Sequence, residues 1–183
     1  MQEGEGLTLP PEELKMERTE SAVWRCRFRL AKYRQDIAPY RGREAAFHRA
    51  FAPYEVREGE GNCLLNSGID EMWDLITGGS ANHFDNTDSR IGVGDSTTAA
   101  DATQTDLQAA SNKTYKGMES GYPTSTSQKA TFKASFGDSE ANYAWNEWVV
   151  KNNASAACLN RKVEDLGTKS GGTWTLEVSI TLS

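Results

Sequence analysis

Three stretches of the chain alternate apolar and polar residues with a period of two. Trp24, Cys26, Phe28 and Leu30 alternate with Arg25, Arg27, Arg29 and Ala31, and Ala130, Phe132, Ala134 and Phe136 alternate with Thr131, Lys133 and Ser135. At the end of the chain Trp174, Leu176, Val178, Ile180 and Leu182 alternate with Thr173, Thr175, Glu177, Ser179 and Thr181. Successive side chains of an extended strand point to opposite faces, so each stretch predicts a strand with one buried face. Between Asn142 and Lys151, Trp145, Trp148, Val149 and Val150 leave both faces apolar, which predicts a central strand. Ile91-Gly92-Val93-Gly94-Asp95 reads as a buried strand whose glycines mark a close backbone neighbour, followed by an exposed turn over Ser96 to Ala102. Tyr54 to Arg57 and Leu159 to Leu166 are further strands.

The period changes after Leu64. Ile69, Met72, Trp73 and Ile76 fall at i, i+3, i+4 and i+7, which predicts a short helix with these four on its buried face. Asn66 is the expected N-cap and Gly78-Gly79 the stop. Arg41 to Ala52 predicts a second short helix, with Ala45, Phe47, Ala50 and Phe51 partly buried and Pro53 ending it. Strands spaced by turns, without the regular helix–strand alternation of βαβ units, predict a mainly β fold. The expected architecture is an antiparallel β-sandwich over residues 21–183 with one short amphipathic helix. Residues 1–20 form an extended N-terminal arm in this reading, because Gln2 to Met16 has too few apolar residues to hold itself folded.

Charge narrows the partners. A net charge of -6 and a pI near 5.0 argue against a nucleic-acid binder. Basic residues nevertheless outnumber acidic ones from Arg18 to Arg49, a segment suited to an acidic protein neighbour. Along one strand face Arg25, Arg27 and Arg29 repel one another unless carboxylates stand opposite. Those carboxylates belong either to a partner, making the three arginines an interface, or to Glu55, Glu58 and Glu60 of the same chain. Cys26, Cys63 and Cys158 are odd in number and lack C-x-x-C spacing, as expected of reduced thiols in a protein made in a cytosol. The N-terminus has no basic and apolar signal pattern, and no apolar run reaches the roughly 20 residues that cross a bilayer.

Three groups of residues invite a chemical reading. Gly92-x-Gly94-Asp95-Ser96-Thr97 resembles both a phosphate loop and a Gly-Asp-Ser hydrolase motif, yet no lysine follows the glycines and the only histidines are His48 and His83. A strand end and turn explain the same residues, so no catalytic residue is assigned. His83, Asp85, Asn86 and Asp88 crowd one loop with potential calcium ligands, without the alternating pattern of a calcium loop, and read as a solvated turn; no metal or cofactor is assigned. Trp145, Trp148 and Trp174 with Tyr143 offer aromatic faces for a sugar, although large side chains on alternating strands are more often core.

Taken together, LLNSGIDEMWDLITG, RIGVGDSTTAADATQTDL, KATFKASFGDSEANYAWNEWVV, LNRKVEDLGTK and the closing TWTLEVSITLS resemble structural proteins of tailed bacteriophages. The layout is similar to tail-fibre and tail-collar type attachment domains, with a Leu-x-Asn-x-Gly helix start, an I-G-x-G-D strand and an F-x-A-x-F…W-x-E strand pair. The resemblance runs from about Cys63 to Ser183. It implies a non-enzymatic virion component of the tail or head-tail region, made in the host cytoplasm, that contacts other virion proteins and copies of itself as a homo-oligomer. The acidic charge and the lack of a bilayer-length apolar run lead to the expectation of no nucleic-acid or membrane partner. A capsid (head) decoration protein is the alternative within the same class, and a carbohydrate-binding module is the second alternative.

Overall fold

The computed structural model describes residues 22–183, so the arm expected over residues 1–20 lies outside the described residues. The elements follow in the order β1 (Trp24–Tyr33), α1 (Glu44–Ala50), β2 (Glu55–Glu60), β3 (Cys63–Leu64), α2 (Asn66–Thr77), β4 (Ser89–Gly94) and β5 (Lys113–Gly117). The second half adds β6 (Thr124–Thr126), β7 (Lys129–Phe136), β8 (Ala144–Asn152), β9 (Cys158–Thr168) and β10 (Thr173–Leu182). They form two five-stranded antiparallel sheets, one in the order β2-β1-β10-β7-β6 and the other β3-β9-β8-β4-β5. This is the expected mainly β, antiparallel sandwich, with β8 in the middle of its sheet as two apolar faces require.

The core lies where the inward residues of the two sheets meet. Cys26, Phe28 and Leu30 of β1, Phe132 and Phe136 of β7 and Trp174, Leu176 and Val178 of β10 pack on Ile91 and Val93 of β4 and Trp145, Trp148 and Val150 of β8. Trp145 stands edge-on between Phe136 and Trp174, with ring centroids 4.8 and 4.9 Å away, an arrangement favoured by aromatic quadrupoles. Both sheets also carry something on their outer faces. On the first, α1 and the 3-10 turn Ala38–Tyr40 build a smaller apolar cluster of Ala31, Tyr33, Ile37 and Phe47 at one end of β1. On the second, the loop between β4 and β5 lies over β8 and β9, with its own Leu107 and Ala109 buried against the sheet.

Side chains of the two flanking strands explain the glycines of β4. A Cβ on Gly94 would stand 2.5 Å from the Glu147 Oε1, and one on Gly92 would stand 2.7 Å from the Tyr115 ring. The two positions admit only glycine because β8 and β5 send large side chains across them, which is the close neighbour that the sequence predicted.

Several expectations need correction. Asn66 is not the N-cap of α2; Leu65 is, with no side-chain capping bond, while Gly78 closes the helix in the left-handed conformation at φ 79 as foreseen. The buried face of α2 is also not the one expected. Leu65, Gly68 and Glu71 are buried, Met72 reaches the core, and Trp73 and Ile76 are 61% and 74% exposed. Relative to Ile69, Met72, Trp73 and Ile76, the helix is docked one residue, about 100°, around its axis. The reason is Gly68: a Cβ there would lie 2.6 Å from the Leu159 Cα, so the helix rests its bare backbone on β9. In α1, Phe47 is buried but Ala45 and Ala50 are exposed. Strands β5 and β6, rich in Thr, Ser and Lys, lack the alternation that would have announced them.

Candidate interaction surfaces

The registers of the first sheet place Arg25, Arg27 and Arg29 on its outer face, in rows that cross the strands. The row nearest α1 runs Glu58, Arg29, Glu177, Lys133 and alternates in sign. The next runs Glu60, Arg27, Ser179, Thr131, and the last runs Arg25, Thr181, Lys129, Thr126 without a carboxylate. Arg27 meets Glu60 at 2.7 Å and Arg29 meets Glu58 at 3.3 Å, all four side chains well exposed. Glu55 bonds Lys32 and Arg57 instead. The two readings of the arginines therefore divide: Arg27 and Arg29 have carboxylates within the chain, whereas Arg25 forms no ion pair among the described residues. The rows floor an open groove of about 710 Å3 that also contains Lys129.

The residues with possible chemistry are each held in structural contacts. The Ser96 hydroxyl lies 3.0 Å from that of Thr98 and accepts the Thr98 N–H at 3.1 Å, closing a turn. The carboxylate of Asp85 accepts the N–H groups of Thr87 and Asp88 at 2.8 and 2.9 Å, and Asn86 donates to the carbonyls of Glu119 and Tyr122. Among the described residues no group of three or more His, Cys, Asp or Glu is placed to hold a metal ion. Trp145, Trp148 and Trp174 lie in the core, so they form no outward platform. Burial pushes the thiols of Cys26 and Cys158 up to about 12, which keeps both protonated and unreactive.

Two polar clusters were not foreseen. Beneath α1, the His48 Nε2 sits 2.9 Å and its Nδ1 3.1 Å from the Glu119 carboxylate and the Tyr33 hydroxyl, and Ser135 donates its hydroxyl to the same carboxylate. Burial alone would raise the Glu119 carboxyl, but the hydrogen bonds of His48 and Ser135 and the nearby Lys133 charge hold it below its ordinary value. Serine, histidine and acid meet here in the wrong order for nucleophilic catalysis. The carboxylate separates the hydroxyl from the imidazole, and Ser135 is buried. The cluster can fasten α1 to β7 and to the chain around Glu119. The second cluster joins Glu147 and Arg161, both fully buried, to the loop between β4 and β5.

The remaining feature is the outward stripe of α2, where Trp73 and Ile76 stand in solvent beside Asp70 and Asp74. Its signal in the sequence was the apolar period itself, which announces a face to be covered but not by what. Comparison of the chain with family models, with curated proteins and with solved structures gives no match, and what stands is a mainly β sandwich with an exposed arginine row and an exposed apolar helix stripe.

Proposed function

We propose that the chain is a non-enzymatic structural protein of a tailed-bacteriophage virion, a tail or head-tail component that assembles through contacts between subunits. The observation that carries this reading is the Trp73–Ile76 stripe. A tryptophan and an isoleucine left in water on a firmly seated helix cost solvation and gain nothing for the isolated domain, and interfaces concentrate their binding energy in such anchors. The phage-like motifs support it as well. They fall on α2, β4, β7, β8, β9 and β10, the elements that build the core and hold the stripe outward.

Quantitative mass spectrometry of purified particles tests the reading. A tail component follows closed ring symmetry and occurs in small numbers, whereas a head decoration protein occurs in hundreds of copies. Absence of the chain from the particles overturns both. Turnover of esters or nucleotides by the purified protein, lost in Ser96→Ala, would overturn the non-enzymatic part.

A further inference from the structure

The outer face of the first sheet is graded in charge. Moving away from α1, its rows change from alternating sign, through one paired arginine, to Arg25 and Lys129 on either side of Thr181 with no carboxylate in the row. Arg25, Lys129 and Thr126 are exposed, and Thr181 offers a hydroxyl group between the two cations, with Ser179 in the neighbouring row. Neighbouring strands lie about 4.8 Å apart, so the Cα atoms of Arg25 and Lys129 are about 10 Å apart across Thr181. Two long cationic side chains over a hydroxyl-lined floor suit an acidic peptide, which places successive carboxylates about 7 Å apart on one side when extended.

The chain contains one such peptide. Residues 1–20 carry Glu3, Glu5, Glu12, Glu13, Glu17 and Glu20 against Lys15 and Arg18. The same charge disfavours the other open surface, because the stripe of α2 is flanked by Asp70 and Asp74. We infer that the Arg25–Thr181–Lys129 row is a docking site for the acidic segment 1–20 of a second copy of this chain. The contact is heterologous, since the surface that gives and the surface that receives are different, and repetition of it generates a ring or a filament. The inference rests on the assembly reading above and names the partner of the arginine face.

Carbodiimide coupling tests it on the full chain, since the reagent joins lysine amines to carboxylates that already touch them. An equal mixture of unlabelled and 15N-labelled protein is coupled, digested and read by mass spectrometry. The expected result is linkage of Lys129 to glutamates of residues 1–20, in mixed-isotope pairs as often as in same-isotope pairs. Yield should fall about fivefold in Arg25→Glu, and in added salt, but little in Arg25→Lys. Links found only within one isotope would mean that the segment returns to its own chain, and would overturn the inference. So would a yield indifferent to Arg25→Glu, or an absence of links in a protein whose Lys129 row binds an oligonucleotide. Failure of the assembly reading shows elsewhere: a chain absent from particles leaves these links standing, and a chain counted in particles without them loses only this docking site.

Discussion

Arg161 and Glu147 meet on the outer face of the second sheet with neither side chain open to solvent, the arginine Nη2 and Nε lying 2.6 and 2.7 Å from the same carboxylate oxygen. Each then spends its remaining capacity on the loop between β4 and β5. Arg161 donates to the Thr98 carbonyl and the Gln104 side chain, and Glu147 accepts the N–H groups of Gln108 and Ala109 at 3.0 and 2.7 Å. A long polar loop is thereby held on the sheet by charge-assisted bonds instead of apolar area. Arg161→Met should lower unfolding stability by about 3 to 5 kcal/mol, because Glu147 is left fully buried without its cation. Glu147→Leu combined with Arg161→Met should lose less than the single variant. Urea denaturation of the three proteins checks the order, and limited proteolysis should cut the single variant first between Thr98 and Gln104.

Close contact of α2 with β9 requires position 68 to lack a side chain. Gly68→Ala would push a methyl group into the Leu159 backbone, which overpacking data put at roughly 1 to 3 kcal/mol. Thermal denaturation should show a lower Tm for Gly68→Ala, while the exposed Gly79→Ala, whose nearest neighbour is the Asp74 carboxylate at 3.2 Å, should change less.

Alternation along β1, β7 and β10 is a local property of the chain, and it sufficed to place those strands and most of the core. The rotation of α2 was not local. The four apolar residues announced the helix but not its buried side: Met72 meets the core while Trp73 and Ile76 are exposed, and the orientation was decided by Gly68, whose consequence depends on a strand some ninety positions away. The arginines show the same limit. Their common face was legible from period two, whereas the pairing of Arg27 and Arg29 but not Arg25 depends on the register of β2, which ends opposite Arg27. Glu147 and Arg161 gave no signal at all, since each sits in a strand pattern where a charged residue ordinarily faces solvent.

Stability should depend on pH through Glu119. Its folded carboxyl is held below the ordinary 4.5 by His48, Ser135 and Lys133 acting against burial, so between the two values the unfolded chain binds more protons than the folded one. The stabilisation is complete above about 4.5 and is lost as the pH falls through the folded value. Glu119→Gln removes the titration. Denaturation curves taken from about pH 6 down to about pH 3 should show a shallower loss of stability in the variant than in the parent protein. Equal slopes would mean that other carboxylates, such as Glu140 and Asp106, carry the acid sensitivity.

Trp73 and Ile76 separate stability from assembly. Both are exposed, and neither belongs to the packed core, so Trp73→Ser and Ile76→Ser should each change folding stability by no more than about 0.5 kcal/mol, as ordinary surface substitutions do. At an interface the same tryptophan would act as an anchor, whose truncation typically costs about 2 kcal/mol or more, equivalent to roughly thirtyfold in affinity. Particles produced with the Trp73→Ser protein as the only source of the chain should therefore contain less of it at unchanged Tm, and the deficit should deepen when Ile76→Ser is added. A Trp73→Ser protein that melts early yet enters particles at the parental copy number would assign the stripe to the fold of its own domain, and the subunit contact would have to lie on another face.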